Sequence, residues 1–184
     1  NKDYIATIRL GQSTVTDDAE GDIMEERDAT AVTDEAITRE IAKLSGDILQ
    51  VPTMFSALKY QGQPLYRYAR QGITVPREAR PINIFRFDLL DFDGQDARFI
   101  VHCSKGTYIR TLIDDLGETL GSGAYVTALR RTQVGPFQAS QMLTDEFLAP
   151  LNQAQDWAGL DRGSAGPAGS RRPPVGCASI PVGC

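Results

Sequence analysis

The residues best equipped for chemistry stand close together in the chain. Residues 102–117 read HCSKGTYIRTLIDDLG, which brings a phenol (Tyr108), a guanidinium (Arg110), an ammonium (Lys105) and two carboxylates (Asp114, Asp115) into one short run. From Tyr108 onward Ile109, Leu112, Ile113, Leu116 and Leu120 recur at helical spacing. Thr107 is placed to cap this helix and Gly121 to end it. A helix start carries partial positive charge and free N–H groups, so it favours anions. Arg110 nevertheless falls in the first turn and Lys105 just ahead of it. Two explanations are open. Arg110 pairs with Asp114 one turn along and Lys105 is simply solvated. Alternatively an anion, either a phosphate or a buried carboxylate, sits at the helix start and the guanidinium adds to the backbone donors. Asp114 and Asp115 diverge around the helix and make a poor acid/base pair. His102 and Cys103 are neighbours on an apolar strand and point to opposite faces, which makes them a poor nucleophile–base pair.

A second constellation lies at residues 52–80, PTMFSALKYQGQPLYRYARQGITVPREAR, where tyrosines mix with Lys59, Arg67, Arg70, Arg77 and Arg80 without a simple period. Cationic side chains suit phosphates and tyrosine rings suit bases. The net charge of −5 does not advertise nucleic-acid binding, but its distribution is uneven. Residues 1–50 hold 12 acids and 5 bases, residues 51–110 hold 5 acids and 9 bases, and residues 111–184 hold 7 acids and 5 bases. A basic middle in an acidic protein can draw a polyanion to one face, and it can equally be a solvated surface.

Several elements must position these groups. Tyr4, Ala6, Ile8 and Leu10 alternate as one face of a strand. The polar run GQSTVTDDAEGD reads as a loop. Thr33 caps a helix with Ile37, Ile41 and Leu44 on its apolar face, ended by Ser45-Gly46. Strands follow at Ile82–Phe92 and Ala97–Cys103 around an Asp93-Gly94 turn. Beyond the helix of residues 108–120 comes a strand near Tyr125–Val134 carrying Arg130 and Arg131, then a short helix at Ser140–Leu148. After Asp161 large apolar residues almost vanish, so a disordered, artificial or out-of-frame tail is expected there.

Composition narrows the class. The chain has 184 residues, 41% hydrophobic and 23% charged, which suits a soluble globular protein. No apolar run reaches a membrane span. No metal-ligand spacing occurs, and the three cysteines cannot all pair within one chain, which points to a reducing cytoplasm. The N-terminus lacks an initiator Met and starts at once as a strand, so a missing true start is expected.

Lys2-Asp3-Tyr4, GQSTVTDDAEG, PTMFSALKYQGQPLYRYARQGITVPREARPI and HCSKGTYIRTLIDDLGETLGSGAYVTALRRTQVGPF together resemble the TruB-type tRNA pseudouridine synthases over roughly residues 1–151. The resemblance implies an α/β (α+β) fold: a mixed, largely antiparallel sheet flanked by helices, with residues 52–80 as an RNA-gripping insertion. It implies conversion of the T-loop uridine at position 55 of tRNA to pseudouridine. The base is flipped out, the base–ribose C–N bond breaks, and C5 of the base is joined to the ribose. No metal or organic cofactor, no membrane and no obligate protein partner is implied; the partner is the tRNA T-stem-loop. Arg110 matches the Arg that pairs with the catalytic Asp. Tyr108 matches the Tyr that contacts the flipped base and its proton transfers, and Tyr4 the Tyr that stacks on that base. Leu129 matches a Leu of the substrate pocket. Lys59, Arg70, Arg80, Lys105 and Arg130 are the expected RNA contacts.

The family's nucleophilic Asp lies in a Gly-x-Leu-Asp-Pro-x-Ala motif ahead of the Lys-x-Tyr strand. That motif does not occur in residues 1–184; Gly159-Leu160-Asp161 is followed by Arg162 and stands at the other end. The expected organisation is therefore a partial catalytic domain at residues 1–151 and a linker with tail at residues 152–184. The nucleophile and the family's C-terminal RNA-binding domain are expected to lie outside this chain. A competing expectation is a non-catalytic RNA-binding or RNA-folding module that uses the same tyrosine and arginine surface.

Overall fold

The computed structural model describes residues 1–139. Its centre is a sheet in which strand β9 (Ala124–Val134), β1 (Lys2–Leu10), β8 (Asp96–Cys103), β7 (Arg80–Phe92) and β4 (Gly46–Gln50) lie side by side in that order. Each of these pairings is antiparallel. One face of the sheet is dry, because the alternation of β1 buries Tyr4, Ala6, Ile8 and Leu10. Phe99, Val101 and Cys103 from β8 and Ile82, Ile84 and Phe87 from β7 continue that face.

Helix α1 (Asp34–Lys43) and helix α3 (Ile109–Leu120) cover it. The Thr33 hydroxyl caps α1 by accepting from the Ala36 N–H at 3.2 Å. Leu112, Ile113 and Leu116 of α3 are wholly buried. Each such side chain contributes about 1.5–3 kcal/mol of burial. Gly121 ends α3 at φ +76°, as its sequence position implies.

Two expectations are corrected, and residues 46–69 hold elements that the sequence left unassigned. Thr107 does not cap α3; its hydroxyl donates to the Ser104 carbonyl, and Tyr108 takes the N-cap position without a side-chain cap bond. The polar run after Leu10 contains strand β2 (Gln12–Thr14), paired with β3 (Ile23–Glu26). Ser45-Gly46 ends α1 as expected and leads into β4, which is too short to show a pattern in sequence. Residues 52–80 hold a two-residue ladder of β5 (Lys59–Tyr60) with β6 (Gln63–Pro64), then helix α2 (Leu65–Ala69). The helix expected at Ser140–Leu148, the tail and Asp161 lie outside the described residues.

Candidate active site

The start of α3 is where three separate chain segments converge. Arg110 sits in the first turn, and its side chain is 19% exposed. One terminal nitrogen, Nη1, donates to Asp18 Oδ2 at 2.7 Å; the other, Nη2, donates to the Phe55 carbonyl at 2.9 Å. The anion at the helix start is thus a carboxylate from the β2–β3 connection, and the alternative of an Arg110–Asp114 pair is not realised.

Asp18 is 1% exposed, yet fully provided for. Its Oδ1 accepts from the Thr16 hydroxyl at 2.6 Å and from the Glu20 N–H at 3.1 Å. Its backbone carbonyl accepts from the Thr14 hydroxyl at 2.7 Å. The loop can fold this tightly because Gly21 has no side chain: a Cβ there would stand 2.4 Å from Thr16 Oγ1 and 2.8 Å from Thr16 N. Asp18 was not singled out in sequence. Its one signal is a pair of hydroxyl residues, Thr14 and Thr16, just ahead of the adjacent acids Asp17 and Asp18.

Asp17 adopts φ +61°, a left-handed conformation that Asp tolerates better than most residues. Burial, then the neighbouring Asp114 carboxylate, push its carboxyl up to about 6, against the pull of Arg110. Asp114 and Asp115 are likewise raised, each mainly by burial. Asp17 and Asp18 thus share the Arg110 guanidinium, while Arg27 is the cation that acts on Asp114.

Tyr108 precedes Arg110 and is held through its backbone. Its N–H donates to Gln50 Oε1 at 2.9 Å, and its carbonyl accepts from Gln50 Nε2 at 3.1 Å. Tyr108 lines a groove of about 320 Å³ together with Leu58, Arg80, Pro81, Ile82, Lys105 and Gly106. An adjoining groove of about 280 Å³ is lined by Lys59, Tyr60, Arg77 and Arg80 among others. The structure thus gathers Lys59, Arg80, Lys105 and Tyr108 along one surface. Arg77 is partly committed, since it donates to the Pro52 carbonyl at 2.9 Å. Arg70 caps the C-terminus of α2 and lines neither groove; its guanidinium is 5.5 Å from the Tyr66 ring centroid.

Tyr4 is 6% exposed on the dry face of the sheet. Arg131, directly opposite on β9, sets its guanidinium 5.6 Å from the Tyr4 ring centroid. Burial raises the Tyr4 phenol and Arg131 opposes that rise. Leu129 stands opposite Ala6 on the same face, partly buried against the core. Arg130 is opposite Ile5 and belongs to the other face, so Arg131 rather than Arg130 is the cation beside Tyr4. His102 and Cys103 diverge as expected: His102 pairs with Asp3, and Cys103 is buried as a free thiol. Among the described residues no cluster of His, Cys, Asp and Glu is arranged to hold a metal ion.

Residues 1–109 match the TruB family pseudouridylate synthase N-terminal domain, and residues 110–161 match the tRNA pseudouridylate synthase B C-terminal domain. The chain belongs to the TruB family. It is 51% identical over 162 residues to tRNA pseudouridine synthase B of Haemophilus influenzae, covering 88% of this chain and 52% of that protein. It is 50% identical over 161 residues to the protein of the same name from Shewanella amazonensis, covering 88% and 51%. The chain therefore spans about half the length of these relatives. Among solved structures, a Cbf5-Nop10-Gar1 complex contains a chain with 27% identity and a TM-score of 0.57, covering 87% of this chain and 38% of that one. An H/ACA RNP bound to a substrate RNA containing 2'-deoxyuridine shares the fold, with a TM-score of 0.51 over 84% of this chain and 36% of that one. Mixed α/β architecture and pseudouridine synthase family are thus one consistent assignment.

Proposed function

We propose that this chain carries the tyrosine and arginine half of the active site of a cytoplasmic tRNA pseudouridine synthase acting on the T-loop uridine at position 55. The observation that carries the reading is the convergence at α3. Arg110 is fixed by Asp18 and the Phe55 carbonyl, two residues beyond Tyr108, and Tyr108 opens onto a groove edged by Arg80 and Lys105.

Each part has a use in the isomerisation. Uridine inside a folded loop must leave its stack before its glycosidic bond can react, and aromatic faces recover part of the lost stacking. Tyr108, which lines the groove, supplies such a face, whereas Tyr4 is enclosed in the core beside Arg131. Breaking C1′–N1 and forming C1′–C5 leaves a proton to be removed from C5 and one to be gained by N1. In this reading the Tyr108 phenol contacts the base during those transfers. Arg110 keeps further N–H groups beyond those given to Asp18, Thr16 and Phe55. An incoming nucleophilic carboxylate would be held ionised by them. Lys59, Arg70, Arg80 and Lys105 serve the phosphates of the T-stem-loop, with Arg130 on the other sheet face as a more distant contact.

The Gly-x-Leu-Asp-Pro-x-Ala motif that bears the family's nucleophile does not occur in residues 1–184, which favours binding without turnover by this chain alone. Purified chain is incubated with a T-stem-loop RNA, with pseudouridine detected by chemical labelling and affinity measured across salt concentrations. The expected result is salt-sensitive binding without product, and weaker binding when Lys59, Arg70 and Arg80 are reversed together to Glu. Turnover that depends on Asp161 would overturn the nucleophile assignment. Unchanged affinity in the folded triple variant would remove residues 52–80 from the interface.

A further inference from the structure

Gln50 is 2% exposed and is the last residue of β4, an edge strand of the sheet. Its carboxamide spends both an acceptor and a donor on one residue 58 positions away: Oε1 takes the Tyr108 N–H and Nε2 gives to the Tyr108 carbonyl. This is the hydrogen-bond pattern of a strand partner, made by a side chain. It falls on Tyr108, the N-cap residue of α3, whose own side chain makes no cap bond. The same carbonyl also accepts the Leu112 N–H, so Gln50 ties the first turn of α3 to β4.

The chain then continues from Gln50 through Thr53 to Phe55, whose carbonyl receives the Arg110 guanidinium. Thr53 Oγ1 closes that turn by accepting the Phe55 N–H at 3.2 Å. A segment of six residues, 50–55, therefore grips both Tyr108 and Arg110 and runs on into the β5–β6 ladder and Lys59.

We propose that Gln50 is a positioning residue for the reaction: its carboxamide fixes the Tyr108 backbone so that the tyrosine and arginine present a ready-made seat for the flipped base. The inference rests on the function proposed above and assigns Gln50 no contact with RNA. Buried groups that lose a hydrogen-bond partner are costly, so the seat and not the distant phosphate grip should suffer when Gln50 is changed.

Gln50→Glu is nearly isosteric and gives the decisive handle. Ionised, Glu accepts the Tyr108 N–H but repels the Tyr108 carbonyl; protonated, it donates to that carbonyl and restores the pair. The test uses the full 184-residue chain with a T-stem-loop RNA carrying 5-fluorouridine at the target position, read by fluorine NMR, alongside RNA affinity and the proton and nitrogen shifts of the Tyr108 amide. The expected result for Gln50→Glu at neutral pH is a seated-base signal reduced about tenfold while affinity moves by less than about threefold, because the phosphate contacts are untouched. Lowering the pH should restore both the seated base and the Tyr108 amide shift in Gln50→Glu, with no such change in the wild type. Gln50→Leu should lose the seated base at every pH.

A wild-type fluorine signal in Gln50→Glu at neutral pH, or a signal that does not return on acidification, would overturn the proposal. If the wild-type chain fails to bind the RNA, the functional reading falls instead. The Tyr108 amide shift in RNA-free Gln50→Glu then still decides whether the clamp exists: an unshifted, pH-independent amide would sink it.

Discussion

Arg110 and Asp18, 92 positions apart in the chain, meet at 2.7 Å with the carboxylate wholly enclosed. The pair joins the start of α3 to the β2–β3 connection. It is a partly buried guanidinium and a buried carboxylate, each with further hydrogen-bond partners. That is the condition under which such a pair is tolerated away from water.

Removing one partner should therefore be expensive. Asp18→Ala leaves Arg110 without its counter-charge and frees the Thr16 hydroxyl and Glu20 N–H, at a cost of about 3–5 kcal/mol. Asp18→Asn retains an acceptor for those two donors and should cost less. Urea denaturation of the two variants beside the wild type measures both, and equal stability of Asp18→Ala would show that the pair contributes nothing.

Arg110→Lys separates charge from shape. A single ammonium cannot reach Asp18 and the Phe55 carbonyl as the planar guanidinium does. In a version of the protein that also carries the family's Asp-bearing motif, the single-turnover rate should fall roughly a hundred- to thousandfold, or about 2.7–4 kcal/mol. RNA affinity should change much less. A wild-type rate would remove Arg110 from the reaction.

Asp17 gives the chain an acid-dependent stability. Its carboxyl is pushed up to about 6 in the fold, against about 3.9 in an unfolded chain. The folded state thus holds the proton more tightly. This contribution is full below the unfolded value and is lost as pH rises from about 4 through about 6. Asp17→Asn should remove that loss and raise stability at pH 7 relative to wild type by about 1–3 kcal/mol, while changing little at pH 4. Denaturation midpoints at the two pH values test it, and an equal shift at both would deny the titration.

Gly117 lies within α3, where helix propensity alone favours Ala by about 1 kcal/mol. The fold demands the opposite. A Cβ at Gly117 would stand 2.2 Å from the Ala124 nitrogen and 2.5 Å from the Gly123 carbonyl carbon, both backbone atoms that cannot rotate away. Gly117→Ala should lower the thermal midpoint by pushing α3 off the start of β9, and a raised midpoint followed by circular dichroism would contradict that packing.

Much of the scaffold was legible because its signals are local. The alternation of β1, the Asp93-Gly94 turn between β7 and β8, and the apolar stripe of α3 each follow from residues within a few positions of one another. The family, too, was readable from ordered motifs carrying Tyr4, Tyr108 and Arg110. What could not be read depends on pairings across the chain. Asp18 looked like one more acid in a polar loop; only the fold brings Arg110 onto it and takes both from water. β4 was too short to show a period, so Gln50 could not be seen to end beneath Tyr108. On β9 the choice between Arg130 and Arg131 turns on a register shift between Asp3 and Tyr4, which sets Tyr4 opposite Arg131 where an unbroken ladder would set it opposite Thr132. Strand period specifies which residues share a face. The partner strand and its bulge decide which of them meet, because a slip of one residue exchanges the two faces.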